Sequence, residues 1–161
     1  MAYLSVGHDS FKMPIKDSWE VSYFDEDPTR AEVRFETGKY PVLGINVLSL
    51  DDPKLDKTQK FKKYLFDEVL MEDNENIEIK EIKTNIYGLE YEANLESGEK
   101  VKVWRLASSH GPRTIRVATI ALSWMSGGEA DKVVNKLLEE VSNNINECNF
   151  SDIRTILDSQ A

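Results

Sequence analysis

Ile86-Tyr87-Gly88-Leu89-Glu90-Tyr91-Glu92-Ala93-Asn94-Leu95, then Glu96-Ser97-Gly98-Glu99, then Lys100-Val101-Lys102-Val103-Trp104-Arg105-Leu106-Ala107 is the stretch whose reading decides the fold. Both flanks alternate or cluster β-branched and aromatic residues, and a polar segment with a glycine separates them, which predicts an antiparallel hairpin. Taking Glu96 to Glu99 as a four-residue turn sets Leu89 against Leu106 and Tyr91 against Trp104. Glu90 then faces Arg105 on the opposite surface, as an ion pair worth at most about 1 kcal/mol if exposed.

Outward from this hairpin, Thr114 to Trp124 is apolar on both alternating faces beyond Arg116, with Ile120, Leu122 and Trp124 on one and Val117, Thr119 and Ala121 on the other. Burial on both sides places that strand in the middle of a sheet. Ser126-Gly127-Gly128-Glu129 then matches a capping box, and Val134, Leu137, Leu138, Val141, Ile145 and Cys148 form a helical stripe behind it. A last short turn over Asp152 to Leu157 is expected, with residues 158–161 frayed.

Toward the N-terminus, Trp19, Val21 and Tyr23 alternate with polar neighbours, Asp25-Glu26-Asp27-Pro28 makes a turn, and Ala31, Val33 and Phe35 alternate with charged residues. Val42 to Leu50 is nearly all apolar and predicts a strand covered on both sides. Asp56 followed by Gln59 suggests a capped helix from about Lys57 to Met71, with Phe61, Tyr64 and Leu65 on one stripe. The expected fold is therefore α+β, one domain over residues 1–161, with an antiparallel sheet of about six strands. Its order is strands, helix, strands, helix, with helices covering both faces.

That order, with a tryptophan near the first strand, the Ile86-Tyr87-Gly88-Leu89-Glu90-Tyr91 strand, Trp104-Arg105 on its partner and a closing amphipathic helix, resembles the PsbP-like superfamily. Its members include photosystem extrinsic subunits, a Ran-binding nuclear import factor and small cytoplasmic chaperones of type VI secretion effectors. The resemblance implies an antiparallel sheet between helices and a binding role rather than catalysis. It assigns no site residue to a position of this chain.

The 161 residues carry 29 acidic against 20 basic side chains, a formal net charge of -9. Such a surface repels phosphate backbones, which argues against nucleic acid and admits a basic or amphipathic protein segment as partner. One cysteine excludes an internal disulfide framework, Met1 to Ser10 lacks the pattern of a signal peptide, and the apolar runs are far shorter than the roughly 20 residues that span a bilayer. Cytoplasmic residence, with no membrane partner, is the expectation.

Candidates for chemistry are sparse. His8 and His110 lie in unrelated segments; Ser108-Ser109-His110-Gly111 lacks a nucleophile elbow, and one cysteine with two histidines cannot make a structural zinc site unaided. Asp25-Glu26-Asp27 and Glu72-Asp73-Asn74-Glu75 lack the spacing of a calcium loop, and Gly127-Gly128 has no Walker lysine behind it. No catalytic residue, metal or cofactor is assigned. Trp19 and Trp124, near strand ends, together with Arg105, Arg113, Arg116 and His110, are the candidate partner or ligand surface.

The function expected is a non-enzymatic module that binds a protein partner, as chaperone or adaptor. A pocket between sheet and helix, with an arginine holding an anion, is the alternative, and a homodimer through an edge strand is a third reading.

Overall fold

The structure is a computed structural model that describes residues 2–7, 10–35, 41–51, 78–83, 85–110, 114–125 and 130–151. Ten strands appear in chain order: β1 (Ala2–Val6), β2 (Phe11–Ile15), β3 (Glu20–Phe24), β4 (Asp27–Arg34), β5 (Val42–Asp51), β6 (Lys80–Lys83), β7 (Ile86–Asn94), β8 (Glu99–His110), β9 (Thr114–Met125) and β10 (Asn149–Phe150). One helix among the described residues, α1 (Ala130–Ile145), lies between the last two.

The strands form two antiparallel sheets. The larger has the order β3-β4-β5-β9-β8-β7-β6, and the smaller the order β1-β2-β10. This corrects the expected α+β arrangement of about six strands with helices on both faces. The smaller sheet was unforeseen because β1, β2 and β10 are at most five residues long, too short for a periodic pattern to emerge. The helix expected over 57–71, the Ser126–Glu129 capping box and the turn over 152–157 lie outside the described residues.

One core fills the space on the inner face of the large sheet. Leu43, Ile45, Ile120 and Leu122 from that sheet pack with Leu4, Phe11 and Met13 from the small sheet and with Val134, Val141 and Ile145 from α1. Helix and small sheet thus share the work of covering one face. The stripe read from sequence is the buried one: Val134, Leu137, Val141, Ile145 and Cys148 are all buried, and Leu138 is packed against them. On the outer face a second cluster joins Leu89, Tyr91, Val101, Val103 and Val117.

β9 lies fourth of the seven strands, between β5 and β8, with Ile120, Leu122 and Trp124 on the inner face and Val117 on the outer, as its two-faced pattern requires. β5 departs from its expected burial. Leu43, Ile45 and Val47 are buried, but the alternating positions are only partly so and Leu48 is exposed.

The central hairpin is shifted by one residue from the expected register. Leu89 pairs Arg105, Glu90 pairs Trp104 and Tyr91 pairs Val103. The cause is the turn. The amide of Leu95 donates to the carbonyl of Glu99 and that of Gly98 to Leu95, so the loop holds three residues, Glu96, Ser97 and Gly98, rather than four. Gly98 takes the left-handed conformation at φ 87° that a three-residue hairpin needs at this place. Tyr91 and Trp104 consequently face opposite sides of the sheet.

Candidate binding groove

The alternation of β7 determines where the helix can close on the sheet. Gly88, Glu90, Glu92 and Asn94 occupy the inner-face positions, where β8 has Trp104 and Leu106 and β9 has Ile120 and Leu122. A glycine, two carboxylates and an amide offer α1 no apolar surface, so the helix packs against β2 and β9 and leaves this part of β7 as an open wall, with Ile86 at the start of the strand buried in the core.

The result is a groove between α1 and β7, made of three hollows of about 390, 220 and 330 Å³. Neighbouring hollows share lining residues: Glu92 and Leu138 join the first two, and Glu90, Trp104 and Ser142 join the last two. Along β7 the groove runs from Asn94 to Gly88, about 20 Å at roughly 3.4 Å per strand residue. Along α1 it runs from Val134 to Asn146, about 18 Å at 1.5 Å per residue. The two walls therefore match in length.

Trp104 lies at the middle of this groove. It is 4% exposed, and its Nε1 finds no hydrogen-bond partner among the described residues. The rim beside it is charged: Lys102 Nζ lies 3.2 Å from Glu90 Oε1 and 5.9 Å from the centroid of the Trp104 ring. Lys102, not Arg105, is thus the ion partner of Glu90, because the one-residue shift puts Arg105 on the outer face. At the far end Gly88 meets Ile82 and Leu106 so closely that a Cβ would come within 2.6 and 2.8 Å of their terminal methyls.

The residues expected to form a partner surface are mostly in the interior. Trp19 is 7% exposed and stacks edge-on against Phe35 at 4.9 Å between centroids, Trp124 is 7% exposed, and Arg105 and Arg116 are buried too. Arg116 donates from its guanidinium to the carbonyl of Ser151. None of these four presents an open docking surface; Trp124 alone borders the groove, at the Val134 end. His110 closes β8 with its backbone paired to Thr114, and Arg113 lies outside the described residues. Trp104 was not among the residues expected at a surface; the signal that it borders a groove was the polar run at alternate positions of β7, which only the corrected register aligns with it.

Among the described residues no group of three or more histidine, cysteine or acidic side chains is placed to hold a metal ion, and no helix is long and apolar enough to cross a membrane.

No family model matches the chain, and no curated protein matches it. Among solved structures, a protein of Bacteroides thetaiotaomicron VPI-5482, known from a crystal structure at 1.50 Å resolution, is similar with a TM-score of 0.56 at 13% sequence identity. The match covers 94% of this chain and 48% of that one, so this chain spans about half the length of that protein. At this identity the likeness is one of fold alone.

Proposed function

We propose that this domain is a non-catalytic binding module that holds a segment of a partner polypeptide in the groove between α1 and β7, as a chaperone or adaptor does. The carrying observation is the groove itself: a channel about as long as three to four turns of helix, with Trp104 and Leu106 beneath it and Glu90, Glu92, Lys102 and Glu139 around it. Trp104 and Leu106 are buried beneath this channel, so the contact it offers a partner is its polar rim together with the partly buried Leu138. A cytoplasmic location of the module is part of the same proposal.

Filling the groove tests this. Ser142 lines two of the three hollows and is only partly buried, so Ser142→Trp is expected to block the channel while leaving the thermal midpoint near that of the wild type. A partner that co-purifies with the wild type should be lost from this variant and weakened by Trp104→Phe, which keeps the ring and removes the N–H. The reading fails if the partner stays bound to Ser142→Trp, or if the partner's footprint by hydrogen exchange lies away from α1 and β7.

A small ligand with one hydrogen-bond acceptor is the second reading. It is favoured by the unpaired Nε1 of Trp104 and by the 330 Å³ hollow beside it, which is within the usual range of such sites. Equal loss of a small-molecule thermal shift in Ser142→Trp, with no polypeptide bound to the wild type, would select it.

A further inference from the structure

The two edges of the large sheet are built differently. β6 is four residues long, carries Lys80, Glu81 and Lys83, and its pairing with β7 is interrupted by a register shift, all of which discourage another strand from adding to it. β3 has a single charged residue, Glu20, at its start, followed by Val21, Ser22, Tyr23 and Phe24. Its outer side has no strand neighbour among the described residues.

Apolar exposure gathers at this edge. Tyr23 is 54% and Phe24 39% exposed, and the Tyr23 hydroxyl accepts the amide of Ser5 at 3.4 Å, which brings the edge of the small sheet, with Tyr3 60% exposed, alongside. Acidic side chains bracket the strand: Asp17 before it, Glu20 at its first position, and Asp25 and Glu26 after it are all exposed. The nearby cations are engaged: Lys16 with Glu140 at 2.6 Å, Arg34, directly opposite Glu20, with Glu32, and Arg30 over the Phe24 ring at 5.1 Å.

From this edge we infer a second docking site, at which β3 accepts an extended polypeptide segment by strand addition. The segment has apolar residues at alternate positions and lysine or arginine toward both ends. Backbone pairing supplies the attachment, alternate side chains meet Val21 and Tyr23, and the cations meet the two acidic brackets. A second copy of this chain fits the edge poorly. Antiparallel self-pairing centred on Ser22 sets Glu20 of each copy opposite Phe24 of the other and next to its Asp25-Glu26 turn, and like charges so placed oppose the pairing.

Random peptides displayed on phage, selected on the whole chain, test the assignment. Enriched sequences should alternate in polarity and carry basic ends, and binding should slow amide exchange within Glu20–Phe24. Tyr23→Lys and Glu20→Lys should each raise the Kd about tenfold with the circular dichroism unchanged, whereas Ser142→Trp should leave it unaltered, which separates this site from the groove. The inference is overturned if no such peptide is enriched, if acidic or uncharged peptides dominate, or if neither lysine variant weakens binding. Light scattering that shows a doubled mass, with β3 protected in the absence of peptide, would assign the edge to a second copy instead.

Discussion

Gly88 shows how closely the side chains of adjacent strands in the large sheet crowd the backbone of β7 near the groove. The added methyl of Gly88→Ala would meet Ile82 and Leu106 at 2.6 and 2.8 Å and the carbonyl of Arg105 at 3.1 Å. The side-chain ends can shift, but the backbone oxygen cannot, and Leu106 is fully buried. A loss of about 1 kcal/mol is expected, measured by urea unfolding, despite the entropy that alanine saves in the unfolded chain. Cys148 carries a second prediction at this scale. Burial pushes its thiol from 9.0 up to about 11, against the opposing influence of the Lys83 charge, whose Nζ donates to the Cys148 carbonyl at 3.1 Å. The folded chain holds this proton more tightly than the unfolded one. The thiol's contribution is therefore complete below pH 9 and is lost as pH rises through about 11. Two units correspond to about 2 to 3 kcal/mol. Unfolding curves of wild type and Cys148→Ala should converge over that window, and parallel curves would refute the assignment.

The hairpin of β7 and β8 shows what a sequence reveals at the scale of elements. The existence of both strands, the central place of β9 and the buried stripe of α1 were all legible, because each rests on apolar periodicity extending over nine or more residues. The register was not. Both four-residue and three-residue turns fit Glu96-Ser97-Gly98-Glu99, and the attractive pairing of Tyr91 with Trp104 favoured the wrong one. Gly98 held the decisive information, since a glycine third in the loop can adopt the left-handed conformation that closes a three-residue turn. Gly98→Ala should therefore cost about 1 kcal/mol in the same unfolding assay, the penalty of placing a Cβ in that region, although its nearest neighbour, the Met125 methyl, is 3.6 Å away. The groove was illegible for the same reason. Glu90 and Glu92 read as an outward face while Tyr91 was aligned with Trp104, and one step of register turned them toward the helix. The burial of Trp19 and Trp124 was hidden differently: position near a strand end does not reveal whether another layer lies above, and the small sheet that helps form the common core has no sequence pattern of its own.

At the scale of the molecule, the large sheet places the groove and the β3 edge far apart in strand order, on β7 and β3, so the two proposed sites are expected to be occupied independently. The small sheet has a different consequence, one for the time course of folding. Its middle strand, β2, is bordered on one side by β1, a neighbour in sequence, and on the other by β10, where Asn149 pairs Lys12 and Phe150 pairs Phe11. The Phe11 and Phe150 rings meet edge-on at 5.0 Å, and the amide of Ser151 donates to the carbonyl of Ser10. During folding, the open side of β2 waits for β10, from which β3 to β9 and α1 separate it in the chain. Closure of so long a loop is slow, and a strand left unpaired meanwhile invites wrong partners. The β1–β2 hairpin is local, but the small sheet is complete only when the two residues of β10 dock, and they act as the latch that ends the vulnerable interval.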